Sequence, residues 1–120
     1  MTRDEFNKFC RDIGPTTHVV QWGNADVWKI GGKVFAIGGW ADDGLGVTFK
    51  CGPIAFEMLR DRPGLRPAPY LASRGMSWVQ HYFAPGLTDD DLRHYLGGSY
   101  EIIGKALTKK MQAELGLVWQ

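Results

Sequence analysis

The chain has 120 residues, 44% of them apolar and 22% charged, with a formal net charge of +1. That size and balance fit one soluble domain, residues 1–120, around one core, and exclude a disordered chain, a fibre, or a molecule drawn by overall charge to nucleic acid or an anionic membrane. No apolar run approaches the roughly 20 residues of a membrane span, and MTRDEFNKFCRDIG mixes acids with bases where a secretory signal needs an apolar block, so a cytoplasmic protein without membrane contact is expected.

Phe6, Phe9, Cys10 and Ile13 recur on one helical face, with Thr2 as N-cap, Asp4 and Glu5 in the first turn and Gly14-Pro15 as the stop; the pattern predicts a helix over residues 3–13. From His18 onward the period changes. HVVQW, DVWKI, KVFAIGGW and LGVTFK are short runs rich in β-branched and aromatic residues, predicting an antiparallel meander from about residue 17 to 50. Gly31-Gly32 suits a two-residue hairpin turn, as does Asp43-Gly44. In the fourth run Leu45, Val47 and Phe49 alternate with Gly46, Thr48 and Lys50, which predicts one buried and one wetted face.

PIAFEMLRD opens with Pro53 at a first helical position and reads as a short helix with Ile54, Met58 and Leu59 on one side. RPGLRPAPY, with three prolines, reads as an extended surface connector, and SWVQHYF as a fifth strand over residues 77–83. Thr88 caps Asp89-Asp90-Asp91 at the start of a long helix, 89–107, whose stripe runs through Leu92, Tyr95, Leu96, Ser99, Tyr100, Ile103 and Leu107. Gly97-Gly98 inside it predicts close approach of a sheet Tyr or Trp, and Ser99 is expected to bond back to a carbonyl one turn earlier. A short helix over 109–115 closes the chain. The fold class expected is α+β, a single antiparallel sheet flanked by the N-terminal and the long C-terminal helices.

Cys10 and Cys51 are distant and lack CxxC spacing, so both read as small buried apolar residues. His18, His81 and His94 fall on three elements without HxxxH or HExxH spacing, and neither a GxSxG elbow, a P-loop nor a dinucleotide fingerprint is present. No catalytic residue, metal or cofactor is expected, and nothing sets an oligomeric state. Residues 44–84 carry Lys50, Arg60, Arg62, Arg66 and Arg74 against Glu57 and Asp61, a local +3 that leaves −2 for the remainder.

Trp28, Lys29, Gly32-Lys33-Phe35, Lys50-Cys51, Gly64, Arg66-Pro67, Tyr70-Leu71, Trp78, Ser99-Tyr100 and Leu107-Thr108-Lys109-Lys110 together resemble the bacterial YjbR/MmcQ family, with PAPYLASRGMSW and SYEIIGKALTKKMQAELGL similar to one subgroup. One departure is Thr108, where much of the family has proline before the lysine pair. The resemblance implies a double-wing-like α+β fold and a label of DNA binding that rests on shape.

Two binding readings follow. In the first, a non-enzymatic DNA-binding or regulatory protein meets the phosphates of double-stranded DNA with Lys33, Lys50, Arg60, Arg62, Arg66 and Arg74, and Trp78, a core anchor under the long helix, supports the basic connector. The plain counterpart is that these arginines merely solvate a proline-rich loop. In the second, Trp40, Tyr70, Arg74 and Trp78 frame a cleft for a small acidic ligand or a protein partner. Here too the plain alternative is core filling, since five tryptophans also suit a sheet-to-helix interface. His81 reads as an exposed strand residue.

Overall fold

The computed structural model of the protein describes residues 1–41, 45–69, 77–83 and 86–119. In chain order it comprises α1 (Arg3–Asp12), β1 (Thr17–Gln21), β2 (Ala25–Ile30), β3 (Lys33–Gly38), β4 (Val47–Lys50), α2 (Pro53–Leu59), β5 (Leu65–Pro67), β6 (Trp78–His81), α3 (Asp89–Lys105) and α4 (Lys109–Glu114). The strands form one antiparallel sheet in the order β1-β2-β3-β4-β6-β5. The expected α+β class holds. The Asp43-Gly44 turn lies outside the described residues.

The helix ends follow local chemistry. Thr2 and Glu5 form a reciprocal capping box on α1, and Thr88 accepts from the Asp91 N–H at the start of α3. Thr108 accepts from the Met111 N–H and starts α4 directly after α3 ends. The threonine therefore does the work of the family's proline, giving a defined break between the two helices. Gly31 and Gly32 take φ of 57° and 81° in the β2–β3 hairpin, a turn that requires positive φ at both positions.

Helices α1, α2 and α3 pack on one side of the sheet, where Phe6, Cys10, Phe35, Phe49, Val79, Leu59, Leu92, Leu96 and Tyr100 join one buried cluster. A bulge contributes to it. Trp28 pairs with Ala36 but Lys29 pairs with Val34, so Phe35 is the extra residue and both Phe35 and Ala36 enter the helix-side core. Phe35 meets Tyr100 edge-on at 5.3 Å, and Phe49 stacks on Tyr95 at 5.4 Å. Both cysteines are buried free thiols, and burial pushes Cys51 up to about 11, so neither is a ready nucleophile.

Several expectations are corrected. The proline-rich connector is partly strand: Leu65–Pro67 pairs with β6 as an edge of the sheet, where proline's missing N–H harms no inner ladder, so there are six strands where five were expected. On α2, Ile54 and Met58 are exposed, whereas Leu59 is buried and Ala55 and Phe56 pack beside it; the apolar face is one turn-position away from the expected one. Gly97 and Gly98 receive no sheet aromatic. A Cβ on Gly97 would meet only Ile13 at 3.9 Å, and one on Gly98 would meet nothing within 4 Å. The tight helical glycine is Gly104, where a Cβ would lie 2.5 Å from the Trp119 ring.

Ser99 does not bond back within its helix. Its hydroxyl donates to the Phe35 carbonyl at 2.6 Å and accepts from the Lys50 N–H at 2.9 Å. The β3–β4 ladder ends at Ala36 and Phe49, so Ser99 bridges the next two backbone groups, which the bulge leaves unpaired.

Candidate ligand site on the helix-free face

Successive strand residues point to opposite faces, so the residues that alternate with the helix-side core define a second face. Registered across the sheet, Val27, Ile37, Thr48, Gln80 and Arg66 form one row, with Lys50 opposite Trp78 on the next. No helix among the described residues covers this face. Trp40 packs on it against Ala25, Val27 and Ile37. The Trp40 indole N–H donates to the Trp22 carbonyl, and the two rings lie 5.6 Å apart.

This face is not wetted as the alternation in LGVTFK suggested. Thr48 and Gln80 are 0% exposed and Trp78 is 4% exposed. Trp78 is buried as expected, but on the side opposite Val79, the β6 residue that joins the helix-side core. Gln80 is engaged at both ends: its side-chain carbonyl accepts from Arg66 Nε at 2.8 Å and its amide donates to the Gly39 carbonyl at 3.4 Å. The Arg66 guanidinium also lies 4.4 Å from the Tyr82 ring centroid. In contrast, Thr48 Oγ1 and Trp78 Nε1 are buried without a hydrogen-bond partner among the described residues. An orphaned buried polar atom costs roughly 1–3 kcal/mol. Thr48 stands opposite Gln80, two residues from Trp78, so the pair is a diagonal contact of roughly 7–8 Å between Cα atoms.

Of the residues singled out in the sequence, this face unites Lys50, Arg66, Trp78 and Trp40. Lys33 pairs with Ile30 on the helix-bearing side and lines a surface hollow with Ile103, Leu107 and Met111. Arg60, at the end of α2, is engaged by Glu57 at 3.7 Å and Asp61 at 4.0 Å and lies over the Phe56 ring. Arg62 is exposed in the turn before β5. Tyr70 and Arg74 lie outside the described residues. The residues missed in the sequence are Thr48 and Gln80. Their period-2 placement beside Lys50 and Trp78 was visible, but the burial of that face was not.

Two further polar arrangements lie on the helix-bearing side. Asp26 accepts from Arg3, from His18 at 2.8 Å and from Asn7 at 3.3 Å, while Asn7 accepts from the Trp28 indole at 2.9 Å. Burial raises the Asp26 pKa, but the hydrogen bonds from Arg3, His18 and Asn7 outweigh it and hold the carboxyl below its ordinary range. His81 is not exposed: its Nε2 is buried with no hydrogen-bond partner among the described residues, a Cβ on Gly86 would lie 2.2 Å from it, and desolvation lowers its pKa, favouring the neutral ring. Among the described residues no group of three His, Cys, Asp or Glu side chains converges as a metal site, and no helix is long and apolar enough to cross a membrane.

The fold has solved counterparts. The crystal structure of a Deinococcus radiodurans protein carrying the YjbR-type domain DUF419 superposes with a TM-score of 0.83 at 24% identity, covering 98% of this chain and 89% of that one. The crystal structure of a Pseudomonas syringae protein superposes with a TM-score of 0.67 at 18% identity, covering 86% of this chain and 99% of that one. No curated protein matches the sequence. These likenesses concern the fold. The model of one family, YjbR, matches residues 13–102, which is most of the chain, and the protein belongs to the YjbR family.

Proposed function

We propose that the protein is a non-enzymatic binding module that takes a small anionic ligand on the helix-free face of its sheet. The observation that supports this reading is the pair of buried groups Thr48 Oγ1 and Trp78 Nε1 on one face, neither of which has a hydrogen-bond partner among the described residues. An indole N–H only donates, so whatever meets Trp78 is an acceptor, and a threonine hydroxyl can donate to the same group. Lys50 and Arg66 share the face and supply positive charge, which selects a carboxylate or phosphate over a neutral acceptor. Trp40 offers an aromatic wall for the ligand's apolar part. Both donors are closed to bulk water in this conformation.

Binding to duplex DNA needs the cations on a common surface. Lys33 lies across the sheet from Lys50 and Arg66, and Arg60 is engaged by two acids, so the polyanion reading has less support. A titration of tryptophan emission decides between them, using the intact chain, a panel of small mono- and dicarboxylic acids, inorganic phosphate, and duplex DNA at two salt concentrations. Saturable quenching by a small acid, weakened in Thr48→Val, is the expected result. Quenching by duplex alone, with log K falling against log salt at a slope near about −3.6, the value for four phosphate contacts, overturns it.

A further inference from the structure

The two edges of the sheet are built differently. The β5 edge is three residues long, contains Pro67 and carries Arg66, features that oppose pairing with another strand. The β1 edge, Thr17–Gln21, is five residues long and contains no proline, lysine, arginine or acid. Its Val19 and Val20 are exposed at 37% and 53%, and Trp22 just beyond it at 50%. An edge with outward N–H and C=O groups and exposed apolar side chains is the surface a soluble monomer normally protects.

We infer that β1 pairs antiparallel with β1 of a second copy of this chain, so that one sheet runs through both. The sequence of the strand is compatible with a copy of itself along its whole length. In the register that pairs all five residues, Val19 meets Val19 on the two-fold axis, Thr17 meets Gln21 and His18 meets Val20. Every one of these pairs is small, apolar or neutral-polar. The only histidine on the strand, His18, is held within each copy by Asp26 at 2.8 Å, with Arg3 on the same carboxylate. No like charges are brought together, and four exposed valines are covered across the axis.

Sedimentation velocity between roughly 1 µM and 1 mM, the range for weak edge-to-edge association, reads the proposal directly. The expected result is a monomer–dimer equilibrium that Val19→Lys shifts by about tenfold or more, because it sets two lysines face to face across the axis. Val118→Lys, an exposed apolar position at the far end of the chain, leaves it unchanged. Amide exchange on the unaltered chain gives an independent reading: the outward-facing amides of Thr17–Gln21 slow with rising concentration while those of Leu65 and Arg66 do not, and this stands even if the lysine variant is unstable. A monomer at every concentration, a dimer indifferent to Val19→Lys, or concentration-independent exchange in β1 overturns the inference.

Discussion

Ser99, on the long helix, donates its hydroxyl proton to the Phe35 carbonyl of β3 at 2.6 Å, and so joins the helix to the sheet at the point where the β3 bulge interrupts the ladder. The same oxygen accepts from the Lys50 N–H at 2.9 Å. Ser99→Ala therefore orphans two backbone groups at once. It is expected to destabilise the fold by about 2–4 kcal/mol, read as a lower urea midpoint at unchanged m-value. A loss below about 0.5 kcal/mol would mean the two backbone groups re-pair without the serine.

Thr48→Val should have the opposite sign on stability. The hydroxyl is buried with no partner among the described residues, so replacing it with a methyl group of similar size removes a desolvation penalty and stabilises the ligand-free protein by about 1 kcal/mol. Affinity for the small acid that quenches tryptophan emission should fall about tenfold in the same variant, the loss of one hydrogen bond to a charged group. A variant less stable than the parent would show that the hydroxyl has a partner in the free protein.

Glycines in the long helix separate cleanly. Gly98→Ala meets nothing within 4 Å and should stabilise the protein by about 0.5–1 kcal/mol through helix propensity. Gly104→Ala places a methyl 2.5 Å from Trp119 and 3.1 Å from Ile30, and should destabilise by about 1–3 kcal/mol as the C-terminal tryptophan is displaced. Thermal melts of the two variants, with opposite shifts, check the assignment.

Acid stability should depend on Asp26. Its folded-state pKa is depressed by Arg3, His18 and Asn7, so its contribution is fully present above the unfolded carboxyl pKa and is lost as pH falls through the folded value. Asp26→Asn should flatten the acid limb of a stability-versus-pH curve and lower its neutral plateau. An unchanged acid limb would place the pH dependence on another carboxylate.

The helices and their caps were legible in the sequence because each is a local signal. Thr2 with Glu5, Thr88 before three aspartates and Pro53 at a first turn need no tertiary information. The β5 strand was hidden by its own prolines, which read as a connector until an edge position makes them harmless. The site was half legible. Lys50, Arg66, Trp78 and Trp40 stand out by charge or aromaticity; strand register puts the first three on one face, and Trp40 packs on it. Thr48 and Gln80 carry no such mark; only the burial of the second sheet face, partly under Trp40, makes them informative. Lys33 shows the limit from the other side, since a two-residue hairpin fixes its turn but not which face of the sheet it serves.

The most direct measurement is a ¹H–¹⁵N spectrum of the tryptophan indoles during titration with the acid that quenches emission. The Trp78 Nε1–H resonance should move downfield as its orphaned donor gains an anionic acceptor, while that of Trp28, held by Asn7, stays in place. A Trp78 resonance that does not move at saturation, with shifts confined to other indoles, would contradict a ligand site on the helix-free face.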